Sequence, residues 1–270
     1  MPIIEQCRGE GFFLTHSIDS HPVDEWFEYH IHDSYELFCL VKGKVGYVVE
    51  GHVYKLRAGA ILLMRGAETH KLIVNESDEY ERYVLNFRPE LFKSFSASLL
   101  KPYTERELGV RNLYLPSELD ISPVFVFEKI FRDEKHITST DATVANIAAL
   151  LSSINVAFSN TDTRALDTKD TLGGSIISYV NDNLTSDISL EKISNEIHLS
   201  PSQISRIFKR ITGTSVYDYI LSKRLLLFQE KLSSGKNAIE ASQECGFRDY
   251  SSFYRLYKKR FGFSPTKSGK

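Results

Sequence analysis

The chain has 270 residues, 42% of them hydrophobic and 25% charged, with a formal net charge of −2. Such a composition suits two ordinary globular domains and excludes disordered, collagen-like and disulfide-dense small-domain classes. Cys7, Cys39 and Cys245 are odd in number and lack metal-type spacing, so they read as reduced thiols, with Cys39 and Cys245 expected in the core. Residues 1–20 carry no long apolar run or cleavage pattern, and no stretch approaches bilayer length, so the expectation is a cytoplasmic protein with no membrane segment.

The front of the chain reads as β structure. Residues 27–32, 35–41, 45–50, 52–56, 60–64, 71–74 and 82–87 are short β-rich runs, punctuated by Gly43, Gly46, Gly51, Gly59 and Gly66. Close spacing with glycine turns points to a sandwich or small barrel. Past Pro89 the period changes, and residues 121–136 and 141–158 read as two helices. Val144, Ile147, Ala148, Leu151 and Ile154 make an apolar stripe on the second. That stripe either packs on the barrel or pairs with another chain. Its size favours self-association through this domain, with Leu151 and Ile154 at the interface.

Within the barrel stands His30-x-His32-x-x-x-Glu36, six residues before Gly43, with His70 downstream of Gly59. This spacing resembles the first cupin motif, and the segment from Gly59 to His70 resembles the second. Arg65 and Ala67 stand where that pattern has Pro and Gly. On a strand, His30 and His32 would point to one face. With Glu36 and His70 they could form a three-nitrogen, one-oxygen metal site. The alternative is a polar wall or a His–Glu hydrogen bond at the mouth of a binding cavity. The broken motif favours the second, so neither a metal nor a cofactor is expected. Trp26, Tyr47 and Arg82, with those four residues, are the candidate ligand contacts, suited to a sugar-like or other polar ring.

Residues 159–171 are polar and nearly free of core-forming side chains, so the domain boundary falls there. The expected division is a sensing and dimerising domain over 1–158, a linker over 159–172 and a helical domain over 173–270. The last holds 15 Lys and Arg against 9 Asp and Glu, a net of +6, which leaves 18 against 26 and a net of −8 before it. An acidic front and a basic back are expected when one domain alone meets phosphate.

The basic domain says one thing twice. Residues 194–215 align with 242–264: Ser194 with Ser242, Glu196 with Glu244, Arg206 with Arg255, Lys209 with Lys258 and Gly213 with Gly262. Each copy is two helices around a turn. In the first, Ser189 caps one helix and Ser200-Pro201 opens the next, which Gly213 ends. In the second, Asp249 caps and Gly262 ends the second helix. Gly246 supplies positive φ at the turn, where the first copy has His198. Ser202, Gln203, Ser205, Arg206, Lys209 and Arg210 face outward in the first copy; Tyr250, Ser251, Tyr254, Arg255, Lys258 and Lys259 do so in the second.

Residues 246–265, GFRDYSSFYRLYKKRFGFSP, resemble the signature of the AraC/XylS transcription regulators, and residues 200–209, SPSQISRIFK, resemble that family's other half-motif. The likeness covers about residues 174–267. It implies an all-α domain of seven helices with two helix-turn-helix units, which, with the cupin-like β-barrel and two appended helices read above, makes the expected fold class α+β. A linker helix over about 215–232 would hold the units apart. It also implies that Ser202, Gln203, Ser205, Arg206, Tyr250, Ser251, Tyr254 and Arg255 read bases. Lys209, Arg210, Lys258, Lys259 and Arg260 would bind phosphate. The expected partners are promoter DNA, a small-molecule effector, a second copy of the chain and RNA polymerase. The competing expectation is a metal-dependent cupin enzyme with an accessory helical domain.

Overall fold

Two strands of the front half are apolar at every central position, because both of their faces are covered. In β3 (Tyr35–Lys42), Leu37 and Cys39 face one core while Phe38 and Leu40 face another. In β6 (Ile61–Met64), Ile61 and Leu63 alternate with Leu62 and Met64 in the same way. Side chains alternate along a strand, so an unbroken apolar run needs cover on both sides. A computed structural model describes residues 3–74, 79–134, 140–160 and 172–265, the side chains of Glu134, Ser233 and Arg260 excepted.

The other strands are β1 (Ile3–Gly9), β2 (Phe12–Ser20), β4 (Val45–Val49), β5 (His52–Lys55), β7 (His70–Val74), β8 (Glu79–Phe87) and β9 (Leu113–Tyr114). They form a six-stranded sheet, ordered β1-β2-β8-β3-β6-β9, and a three-stranded sheet, β5-β4-β7. Every strand pair is antiparallel. Phe38, Tyr47, Val49, Met64, Leu72 and Tyr80 fill the space between the sheets. On the outer face of the larger sheet lie α1 (Lys101–Thr104), α2 (Pro123–Glu134) and α3 (Thr140–Asn160).

Three sequence expectations change here. First, β1 and β2 precede the first expected strand, and residues 27–32 are not a strand. A 3-10 turn at Asp24–Trp26 leads into irregular backbone that touches β7 at one bridge, His30 to His70. Second, α3 is long and apolar enough to cross a bilayer by length and composition, against the expectation that no stretch is. Third, its stripe is not surplus. Ile147, Leu150, Leu151 and Ile154 are fully buried with Phe127, Leu37 and Leu85 in the core beneath the sheet. Of the large apolar side chains on α3, Val156 is exposed. The interface assigned to Leu151 and Ile154 is therefore withdrawn. All three cysteines are buried and free.

The chain divides into two compact units, Met1–Lys169 and Asp170–Lys270. Most of the expected linker, 159–172, lies outside the described residues. The second unit contains α4 (Leu172–Asp182), α5 (Leu190–Ile197), α6 (Pro201–Thr212), α7 (Val216–Ser233), α8 (Ala238–Glu244) and α9 (Tyr250–Phe261). These are six α-helices among the described residues, one fewer than the resemblance implied. They enclose two separate cores. Ile176, Ile193, Ile204 and Phe208 gather around the first half of α7, at Val216, Tyr219 and Ile220. Ala241, Cys245, Phe253 and Tyr257 gather around its second half, at Leu225 and Phe228. An 18-residue helix is about 27 Å long, so α7 is the spacer between two small bundles.

Candidate functional site

The helix boundaries of the second unit follow from capping chemistry. Ser189 accepts a hydrogen bond from the Lys192 amide and starts α5. His198 ends it with φ 58°, a left-handed conformation that a non-glycine residue adopts at a cost. Ser200 and Gln203 form a reciprocal capping box at the start of α6, with Pro201 at the first helical position. Asp249 accepts from the Ser251 and Ser252 amides to start α9. Gly213 and Gly262 end α6 and α9 with φ 72° and 81°. At the second turn Gly246 has φ 81°, and a Cβ there would lie 2.6 Å from the Thr185 carbonyl oxygen, so only glycine fits.

These caps aim two matching faces at solvent. Ser202, Gln203, Ser205, Arg206, Lys209 and Arg210 are all exposed on α6, while Ile204 and Phe208 are buried behind them. On α9, Ser251, Arg255, Lys258 and Lys259 are exposed over buried Phe253 and Tyr257. Tyr250 and Tyr254 are half-buried, and Tyr250 packs against Phe253, so neither presents a whole ring. Gln203 is partly engaged: its Oε1 accepts from the Ser200 amide at 3.0 Å, which leaves its Nε2 hydrogens to donate. The Arg260 side chain lies outside the described residues.

The relative placement of the two bundles depends on a residue the sequence did not single out. Arg224, in the middle of α7, donates to the Leu184 and Ser186 carbonyls, both at 2.7 Å, and to the Gly246 carbonyl at 2.8 Å. The first two belong to the loop before α5, the third to the turn before α9. Arg248 and Asp187 add an exposed ion pair at 2.7 Å across the same seam. Nothing local marks Arg224, because its partners are main-chain oxygens 22 to 40 residues away.

In the first unit, Glu36, Phe38 and Arg82 share the face that lines the space between the sheets. The structure brings His30, His32, Glu36 and His70 together there, with one potential ligand atom from each within 4.8 Å of the others. The convergence has a cause different from the one expected. His30 is set beside His70 by paired main-chain hydrogen bonds, each 3.1 Å, and His32 reaches Glu36 from a loop. The imidazole rings lie 4.2 to 5.9 Å apart by centroid. Glu36 and His70 are buried, His32 is half-buried and His30 is exposed, so the cluster opens to solvent on one side.

Electrostatics differ along the cluster. Burial acts to raise the Glu36 carboxyl, but its hydrogen bond from His32 and the nearby His70 and His30 hold it below the usual carboxylate range. Burial acts to lower His32, and Glu36 outweighs it, so His32 is raised. Burial prevails at His70, which is pushed down to about 4. Deeper on the same inner face, Tyr47 packs against Phe38, and its ring centroid is 6.3 Å from that of His70. Arg82 is buried against Asp19 at 2.5 Å, with its guanidinium 4.3 Å from the Tyr80 ring centroid. Trp26 is 52% exposed on the turn before the cluster. Tyr35 and Tyr83 face away from this space and pack on Tyr103 and Phe127 under the helices.

Comparison with known proteins matches both units. The model of the AraC-like ligand binding domain covers residues 17–120, and that of a helix-turn-helix domain covers residues 193–269. The HTH-type transcriptional activator RhaS of Escherichia fergusonii is 25% identical over 269 residues, 93% of this chain and 94% of RhaS. The multiple antibiotic resistance protein MarA of Escherichia coli is 33% identical over 94 residues, 34% of this chain and 74% of MarA. LumQ of Photobacterium leiognathi is 31% identical over 93 residues, which is 34% of this chain and only 38% of LumQ. The duplicated outward faces and the sandwich in front of them thus have the same origin as the matched families, and the chain belongs to the AraC/XylS family of ligand-sensing, DNA-binding transcription regulators.

Proposed function

We propose that α6 and α9 enter two successive major grooves of one promoter duplex and that an effector at the mouth of the sandwich controls this binding. The observation that carries the reading is the register of the repeat: Arg206 and Arg255 hold equivalent exposed positions over equivalent buried ones. Arginine suits bidentate contact to guanine. Ser202, Gln203, Ser205, Tyr250, Ser251 and Tyr254 complete the base-reading set, and Lys209, Arg210, Lys258 and Lys259 bind phosphate. The effector is a polar ring of the sugar class, held by Trp26, His30, His32, Glu36 and His70, with Tyr47 and Arg82 behind them. The working protein is a cytoplasmic homodimer through its front domain, it engages RNA polymerase, and it regulates rather than catalyses.

The test is a footprint on a selected operator. Arg206→Ala and Arg255→Ala should each relax sequence preference in a different half-site, about one helical turn or ~34 Å apart, at a cost of roughly 1–3 kcal/mol each. If both substitutions relax the same base pairs, two-groove binding is wrong.

A further inference from the structure

The hydrogen bonds around the histidine cluster fix which ring nitrogens are free. His30 Nδ1 lies 3.1 Å from the Glu28 carbonyl oxygen, His32 Nδ1 lies 2.9 Å from that of Ser34, and His70 Nδ1 lies 2.8 Å from that of Glu68. A carbonyl oxygen only accepts, so each Nδ1 carries the proton. The Ser34 hydroxyl, 3.1 Å from His32 Nδ1, donates to Asn86 Oδ1 at 3.2 Å and so accepts from the histidine as well. In all three neutral rings the lone pair is then on Nε2. This is the arrangement in which a backbone carbonyl sets the tautomer of a metal-ligating histidine.

Those nitrogens meet a carboxylate. His32 Nε2 is 3.2 Å from Glu36 Oε2, a contact that needs a cation between the two atoms, either the proton that makes it the hydrogen bond described above or a metal ion. A proton on His32 would satisfy that pair alone. It leaves His70 Nε2, which is fully buried, without a hydrogen-bond partner and 3.9 Å from the same carboxylate oxygen. A buried polar atom without a partner is costly and needs an explanation. One multivalent ion satisfies all four groups together.

We propose that His30, His32, Glu36 and His70 bind one divalent first-row transition-metal ion. Bonds of ~2.0–2.2 Å from nitrogen and oxygen set neighbouring donor atoms roughly 3–3.5 Å apart, and the four donors already lie within 4.8 Å of one another. Three imidazoles and one carboxylate suit zinc, iron, copper or nickel over magnesium or calcium. The solvent-open side at His30 leaves a coordination position for water or for an oxygen of the effector. The proposal deepens the effector reading above: His30, His32, Glu36 and His70 would hold the effector through this ion, while Trp26, Tyr47 and Arg82 would contact it directly. It rests on that reading only for the link to DNA.

The experiment uses the full chain, stripped with chelator and titrated with Co²⁺ under reducing conditions, followed by its visible absorption and by zinc competition. One equivalent should bind, and zinc should displace it. His30→Ala and His32→Ala should weaken binding at least 100-fold, and the exposed control His21→Ala should leave it unchanged. The His30 variant keeps the test sound if buried His70→Ala fails to fold. No stoichiometric cobalt binding, or binding that survives both His30→Ala and His32→Ala, overturns the proposal. DNA affinity is measured on the same metal-free sample. A chain that binds DNA but no cobalt refutes the metal site alone, whereas one that binds cobalt but no DNA refutes the regulator reading alone.

Discussion

Replacing Glu68 by Gln should lower the melting temperature of the first unit by roughly 6–20 °C. Glu68 is fully buried and accepts five hydrogen bonds: Arg106 Nη1 at 2.5 Å and the Gly109 amide at 2.8 Å on Oε1, then Arg106 Nη2 at 2.7 Å, the Arg65 amide at 2.9 Å and Asn112 Nδ2 at 3.2 Å on Oε2. Glutamine keeps the shape but turns one oxygen into a donor, so at least two donors face an NH₂ group and the buried guanidinium loses its counter-charge. Breaking a buried pair from one side costs about 3–5 kcal/mol, and a kcal/mol moves a domain of this size by about 2–4 °C. Linkage gives the same order. Burial alone would raise the Glu68 carboxyl, but Arg106 and the amide donors hold it at about 2. Its folded pKa is below its unfolded one, so its contribution is present above about pH 4.3 and disappears as pH falls towards 2. The shift of about two units corresponds to about 3 kcal/mol. Calorimetry of the full chain from pH 7 to pH 3 should therefore show Glu68→Gln less stable at pH 7 and less sensitive to acid. A variant within 2 °C of wild type at pH 7, or one with an unchanged acid slope, would refute this account of the network.

Three further outcomes follow from the packing. Leu151→Ala should destabilise the first unit by about 2–5 kcal/mol, because Leu151 is in the core and not at an interface; an altered sedimentation coefficient without a change in melting would contradict that placement. His198→Gly should stabilise the second unit by about 1 kcal/mol by relieving positive φ, as read from its thermal transition, and a loss of stability would mean that the imidazole has an unseen role. Lys209→Ala and Lys258→Ala should each weaken all DNA sequences alike and reduce the slope of log affinity against log salt by about 0.9. A sequence-selective loss would move either lysine into the base-reading set.

The second unit was readable because its determinants are local. A cap lies within three residues of the amide it serves, so Ser189, Ser200, Asp249, Gly213 and Gly262 marked the ends of α5, α6 and α9 without reference to the fold. The front half resisted wherever a partner was distant. β1 is an edge strand with few apolar side chains, and β2 buries Ser17 and Asp19 in place of apolar residues, so neither showed clean alternation. The run at residues 27–32 had strand-forming residues but no neighbour along its length. The stripe on α3 is plainly apolar in the sequence, but nothing in the helix announces the area of the six-stranded sheet it covers, and so it looks surplus there. The spacing of the histidines and Glu36 was visible, but the three carbonyls that choose their tautomers were not.

The Arg224 clamp has a consequence for the operator itself. B-DNA turns by roughly 34° per base pair, so a single insertion between two half-sites rotates one away from the other as well as displacing it. A reader with a flexible joint would follow that rotation. Here one guanidinium ties the loop before α5 to the turn before α9 through three main-chain oxygens that no side-chain substitution can remove. On the two-groove reading proposed above, α6 and α9 then carry a fixed torsional phase, and an operator would have to meet it, by its own spacing or by bending.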